Sequence, residues 1–581
     1  MENLQDGGSW DVIIMGTGLI ECIVASGLSM KGHSVLVLDS NTTYGGLNNT
    51  LKLPAIHSWI SDTPEHSKHL FETSSFFEKE YDLQLYSSLT ETEFQCLKNI
   101  YLDMMPKVLF CRGHLVEMIL SCNISGYLEF QGIEDVYFAE IKDSEAFRLT
   151  RTPFSKKEVF LSPDLNLVEK RQIMRLYSGI RDILEISKIE EKVDLDLVSD
   201  PFRSPALIVN IQNTSKKSSE CNSGQNSSVN GRNVCIPEVN SFSDFQDFWK
   251  INDRVLNLVK HNIVFINSHQ NDHFEWGKNF TRYFNLLLSS LNQHGCVGTP
   301  FLYPNYGTCD LPQSFSRLAA VKGSVQRLGT KVSTIQRQEE EKLWKVHIDS
   351  SNSKEVIQCK LILGSLTNLS KYLRNPVNNL IENRVLCYFM ILNCPLITPE
   401  SSQNKKNLCL TAIQIGENKF ENNIAYILQC DYSTGCCPSE CYIVYINKVM
   451  GKEETILQVR SQVQDAINSL LSVKANNEIK ILYKASYVYK QRVENPQLLG
   501  NGLILLSDPS INNNSFFFLD EDVDKALLAI DKSMKFLNSQ YKEPVTFKNF
   551  SNSEKGQKEK NPTSQDSNNQ YIIRKLQDIL D

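Results

Sequence analysis

Apolar and polar positions fall in blocks along this chain, and the blocks near its start are the most legible. Asp11–Met15 (DVIIM) is a continuous apolar run, short enough to predict a buried strand. Gly16-Thr17-Gly18 makes a turn after it. Leu19–Met30 then carries a helical pattern that Lys31-Gly32-His33 ends. Ser34–Leu38 is a second apolar strand closed by Asp39, and Thr43-Tyr44-Gly45-Gly46 predicts a loop. Residues 55–100 are mixed. From Met105 to Gln293 apolar residues recur at three- and four-residue steps, in Leu115–Ile124, Val168–Ile186, Phe245–Ile266 and Phe280–Leu291, so this stretch is expected to be mainly helical. Beyond Phe301 strand-like and helical pieces alternate to about Leu537, with buried-looking runs at Leu361–Leu366, Val385–Leu392 and Leu503–Leu506.

Two tracts break the pattern. Asn213–Arg232 is rich in Ser and Asn with almost no large apolar residue, and Asn549–Asn569 is polar throughout; both are expected to be disordered. Ile572, Ile573, Leu576 and Leu580 then share one side of a short helical pattern. With 581 residues the chain exceeds one compact core. The expected organisation is α/β and discontinuous. A Rossmann-type domain is built from 1–104 and 294–548, a mainly helical domain is inserted at 105–293 with its disordered tract at 213–232, and a tail runs over 549–581.

Charge and cysteine usage narrow the function classes. A net charge of -7 and a pI near 5.9 argue against a general nucleic-acid binder. No apolar run approaches the ~18 residues of a membrane span, and MENLQDGGSWDV lacks the positive-then-apolar pattern of a secretory signal, so a cytoplasmic protein is expected. The 16 cysteines form no CxxC pairs at zinc spacing, so most are expected to be small buried hydrophobes and no metal site is expected. His57, His66, His69 and His114 have no partner motif, and neither GxSxG nor HExxH occurs, so no catalytic set is expected.

One position in the first glycine turn decides the chemistry. A dinucleotide fingerprint needs a third glycine or alanine where Glu21 stands. Gly16, Gly18 and Asp39 match a cofactor-binding turn and its ribose-binding acid. A glutamate ~5 Å from a phosphate costs on the order of 3 kcal/mol at an effective dielectric of about 20. The turn therefore reads as a vestigial cradle without a cofactor, on a scaffold reused for binding.

Two blocks carry a family resemblance. DVIIMGTGLIECIVASGLSMKGHSVLVLDSNTTYGG and GTPFLYPNYGTCDLPQSFSRLAAVKGS closely resemble the main blocks of the superfamily of Rab GDP-dissociation inhibitors and Rab escort proteins, including the glutamate in the glycine turn and the LPQ-x-F-x-R segment. The resemblance extends more weakly from Asp11 to about Tyr541. It implies an FAD-binding-like, GDI-like fold and a Rab-binding platform at Tyr44, Asp310, Arg317, Val325 and Arg327. Asp310 stands where the family usually has glutamate. Val325 and Arg327 replace a threonine and a methionine, and Ser324 a glycine. Read without the family, Pro312 fixes the turn before a helix over Gln313–Ala320. Asp310 then lies just ahead of it, and Arg317 two turns after Asp310. The pair serves either a partner surface or an internal bridge.

A second stretch separates the branches of that superfamily. GYLEFQ (126–131) begins a segment running to KKEVFLSPDLNLVEKRQIMRLY, where the escort branch has a phenylalanine eleven positions before the arginine of an EKR triplet, here Phe160 and Arg171. The resemblance implies that these two contact the α-subunit of the Rab geranylgeranyl transferase α/β heterodimer. Ser162-Pro163-Asp164 is expected to start a helix with Phe160 just outside it, either as a free anchor or as a staple onto its own helix. Ile119, Leu120, Phe284, Leu286 and Leu287 are candidate walls for a geranylgeranyl chain, or plain core. The resemblance favours a non-catalytic escort protein that presents GDP-bound Rabs for C-terminal prenylation and associates transiently with membranes. A GDP-dissociation inhibitor and, more distantly, an FAD-dependent oxidase stay open.

Overall fold

The computed structural model describes residues 5–540 except 61–76, 82–89, 142–146, 191–227, 230–231, 234–241, 266–275, 297, 339, 351–352, 374–382, 399–405, 417–422, 474–478, 494 and 512–518. Most of the Ser/Asn-rich tract and all of the terminal tail, with its amphipathic stretch, lie outside the described residues.

The first sheet is built as the opening blocks predict. Strand β1 (Gln5–Met15) runs parallel to β2 (Val35–Leu38), with helix α1 (Leu19–Met30) crossing between them. Val325–Arg327 adds beyond β2, also in parallel, and forms that edge. On the other side of β1 lies Ser353–Gly364, whose first half pairs with Leu343–Ser350 and whose second half pairs with Leu503–Leu505. Side chains alternate along β1. Val12 and Ile14 enter a core with α1 and the helices Asp310–Val321 and Asp520–Gln540, while Ile13 and Met15 enter a second core on the opposite face. Burial on both faces explains the unbroken apolar runs.

The second sheet takes strands from 1–104, 105–293 and 294–548 alike. Its eight strands run in the order Phe77–Tyr81, Ile481–Gln491, Asn383–Leu392, Tyr442–Met450, Ile424–Cys430, Cys409–Gln414, Asp135–Ile141 and Phe147–Arg151. The 105–293 stretch, expected to be mainly helical, supplies two of these strands beside its helices among the described residues. The 294–548 stretch, expected only to complete the α/β domain, supplies five. Strand pairing is non-local, and an apolar run does not say which sheet it joins. Val136 and Phe138 face a core shared with the helices Asp253–Asn262 and Trp276–Ser290; Tyr137 and Ala139 face a core with the helix Ile456–Val473.

Candidate functional site

The glycine turn after β1 is filled by the side chain that breaks its pattern. Gly16 adopts φ +112°, and its N–H donates to the Leu38 carbonyl at 2.8 Å. A Cβ on Gly16 would sit 2.5 Å from Asn368 Nδ2, and one on Gly18 would sit 2.6 Å from Glu21 Oε2. The Glu21 carboxylate thus folds back over the turn from the first turn of α1, where it accepts its own backbone N–H. Burial pushes its pKa up to about 7, with Asp39, Asp508 and Asp522 adding to the rise. Asp39 is buried and already engaged: Thr17 Oγ1 donates to it at 2.6 Å and the Asn41 N–H at 2.8 Å. A cavity of about 220 Å³ remains beside these acids. A dinucleotide pyrophosphate would have to displace one carboxylate and sit among three more, so these residues do not fit that group.

The helix Asp310–Val321 presents the candidate interaction cleft. Leu311, Phe315, Leu318 and Ala319 are buried in the first core, which leaves Asp310, Gln313, Arg317 and Ala320 as one stripe on the outer face. The helix begins at Asp310, three residues earlier than expected, so Pro312 lies within its first turn, where a missing N–H costs nothing. Tyr44 reaches the same cleft through the Gly45-Gly46 loop, where its carbonyl accepts from Cys309 Sγ at 3.4 Å. The cleft, about 350 Å³, is lined by Tyr44, Tyr127, Asp310, Gln313, Arg317 and Gln326 among others.

Two residues that sequence reasoning missed organise this place. Asp103 is buried. It accepts from Thr50 Oγ1 at 2.5 Å, Tyr303 Oη at 2.6 Å and the Thr308 N–H at 2.9 Å, tying the loop side of the cleft to the start of the helix. An acid inside the apolar run YLDMM was the available signal. Tyr127 lies on the short turn Ser125–Tyr127, and the Arg317 guanidinium stacks over its ring at 4.1 Å. Nothing in the local sequence pairs these two.

The internal Asp310–Arg317 bridge, the alternative to a partner surface, does not form. Two helical turns separate the residues by roughly 10 Å, and among the described residues neither has an ion-pair partner. Burial first, then Asp103 and Glu129, push the Asp310 carboxyl above its ordinary range. Val325 and Arg327 do not join the cleft. They leave the opposite face of their strand from Gln326, which holds the helix through its bond to the Ser316 carbonyl at 2.6 Å. Val325 is exposed at the sheet edge, and Arg327 donates to Glu355 at 2.7 Å.

Phe160 and Arg171 stand on a second surface. Phe160 lies inside the helix Lys156–Leu161, whose start is a capping box between Ser155 and Glu158. The next helix begins at Leu167, capped by Asn166, and not at Ser162-Pro163-Asp164 as expected. Lys170 Nζ donates to the Phe160 carbonyl at 2.8 Å and joins the two helices. The Phe160 ring is 67% exposed, so it is no staple, and Leu161, Leu167 and Val168 are exposed near it in the same helix pair. Arg171 is exposed on the second helix.

The five candidate lipid walls divide between two cores. Ile119 packs with the first-sheet core and, with exposed Leu120, lines an open cleft of about 700 Å³ together with Val116, Leu128 and Leu302. Phe284 and Leu287 are fully buried in the second-sheet core, with Leu286 packed against it. They therefore form no common wall with Ile119 and Leu120.

The GDP dissociation inhibitor family model matches residues 5–201 and 232–485. Among curated proteins the chain is 25% identical over 452 residues to a Rab proteins geranylgeranyltransferase component A of Drosophila melanogaster, covering 75% of this chain and 73% of that one. It is 21% identical over 515 residues to Rab escort protein 1 of Arabidopsis thaliana, covering 81% and 80%. A solved Rab GDI from Plasmodium falciparum shares the fold with a TM-score of 0.61 at 19% identity, covering 91% of this chain and 98% of that one. With its family match running over most of its length, this chain belongs to the GDP dissociation inhibitor family.

Proposed function

We propose that this chain is a Rab escort protein and takes no part in bond chemistry itself. A newly made GDP-bound Rab docks on the cleft of Tyr44, Asp310 and Arg317. The geranylgeranyl transferase α/β heterodimer docks on Phe160 and Arg171. Holding both at once turns the flexible Rab tail into a substrate at high effective concentration. The open cleft beside Leu120, where Val116, Ile119 and Leu302 stand with Gln131, Glu134 and Lys406, offers partial apolar cover to the lipid-bearing end of the product, at ~0.8 kcal/mol per buried methylene. The chain then works from the cytoplasm and meets membranes transiently when it delivers the product.

The observation that carries the escort reading is the exposed Phe160 ring, held at a helix–helix junction among other exposed apolar side chains. A solvated cluster of this kind marks an interaction site, and the aromatic-plus-arginine pair is the composition of an anchor. Reconstituted prenylation tests it. Lipid transfer to an unmodified Rab is expected only when this chain is added. Extraction of prenylated Rab from membranes without support of transfer would replace the reading with that of a dissociation inhibitor.

A further inference from the structure

We infer that Tyr127 is a positioning residue of the small-GTPase cleft, holding Arg317 in its binding conformation, so that the cleft is completed by the inserted 105–293 stretch and not by the α/β domain alone. This rests on the function proposed above for the cleft.

Tyr127 sits on a turn that its own backbone fixes. The Tyr127 N–H donates to the Ile124 carbonyl at 3.0 Å, and the Leu128 N–H to the Ser125 carbonyl at 3.2 Å. Ile124 and Leu128, on either side, are buried in the first core. The turn is therefore anchored while the ring, 47% exposed, stays free to present a face. Arg317 is the opposite case: a long side chain on the exposed stripe of its helix, with no ion-pair partner among the described residues. Such a side chain samples many rotamers, and docking a partner on it costs that freedom. Stacking the planar guanidinium on a fixed ring at 4.1 Å removes part of the cost before the partner arrives. A cation–π contact through the ring face uses none of the guanidinium N–H groups, so they stay available for a partner's acceptors. Tyr44 and Tyr127 both line the cleft that holds Asp310 and Arg317, so both charges are presented beside rigid aromatic surface.

The test is affinity for a GDP-loaded Rab that binds the unsubstituted full chain, measured for Tyr127→Ala, Tyr127→Phe, Arg317→Ala and the Tyr127→Ala/Arg317→Ala double variant. Tyr127→Ala is expected to weaken binding about 3- to 10-fold, and Tyr127→Phe, which keeps the ring face, to restore it to within about twofold. The double variant is expected to match Arg317→Ala alone, because the ring acts through the guanidinium. Unchanged melting and unchanged transferase affinity show that Tyr127→Ala is folded. Should that variant fail to fold, Tyr127→Leu takes its place with the same expected loss. Full affinity in Tyr127→Ala overturns the inference, and so does a double variant whose losses add. If Arg317→Ala itself binds at full strength, the cleft is not the GTPase site, and both the assignment of the cleft and this inference fall together. If Arg317→Ala weakens binding and Tyr127→Ala does not, only the inference falls.

Discussion

At the scale of single residues, Glu21 is where the chain departs from a nucleotide enzyme. Its carboxylate occupies the place at the helix N-terminus that a phosphate would take. The same burial gives it a measurable signature. Its pKa is about 7 in the folded chain against 4.5 for the ordinary side chain. Between those values the folded chain holds a proton that the unfolded chain has released, so stability falls as pH rises across the window. The loss is complete above about pH 7 and is on the order of 3 kcal/mol. Glu21→Gln removes the titration. The variant is expected to gain little over the parent at pH 5 and clearly more at pH 8, measured by denaturant unfolding at each pH. An unchanged difference between the two pH values would show that the carboxylate is solvated. The sequence announced Glu21 because it breaks a known pattern. It did not announce Asp103, whose importance comes from donors in two segments far from each other in the chain, Thr50 on one and Tyr303 and Thr308 on the other, that converge on it.

At the scale of elements, three helices and one glycine loop carry the proposed contacts: Asp310–Val321 with Tyr44 of the loop, and Lys156–Leu161 with the helix that begins at Leu167. The stripe of Asp310, Gln313, Arg317 and Ala320 exists because the other positions of that helix are committed to the core. Substitution of the solvated Arg317 is expected to weaken Rab binding and leave transferase binding intact. Phe160→Ala is expected to do the reverse, at a cost of about 2 kcal/mol or more in transferase affinity. Pull-downs with each partner separate the two, and equal loss of both partners in either variant would indicate misfolding. Both helix starts were legible in kind but not in register. Ser155 with Glu158 and Asn166 with Glu169 each supply the oxygen-and-acid spacing of a capped N-terminus. Ser162-Pro163-Asp164 is an equally good start signal by residue type. It lost because the turn at Ser162 closes the preceding helix, its N–H donating to the Glu158 carbonyl.

At the scale of the whole molecule, the sheets decide which surfaces travel together. Strands from the 105–293 stretch pair into the second sheet and also with Phe301–Pro304, just ahead of the helix bearing Arg317, so the surface bearing Phe160 and the surface bearing Arg317 belong to one interleaved structure. The escort mechanism needs both partners on one chain. A mixture of Arg317→Ala and Phe160→Ala chains, used below the weakened affinities, is therefore expected to support no more prenyl transfer than either chain alone. Restored transfer in the mixture would mean that the two surfaces work separately.

The sequence by itself determined the opening strand–turn–helix–strand unit, the glutamate that closes its nucleotide cradle, and the residue types at both proposed contact surfaces. These are local: each depends on spacing within a few turns of one segment, and periodicity reports such spacing directly. Only the tertiary structure decided that Tyr44, Asp310 and Arg317 share a cleft while Val325 and Arg327 leave the other face of their strand. It also decided that Phe284 and Leu287 are core and form no wall with Ile119, and that Tyr127 lies under Arg317. The physical reason is the same in each case. A strand's pairing partner and a helix's buried face are chosen by apolar surface brought together across hundreds of residues, and composition within a segment does not encode that choice.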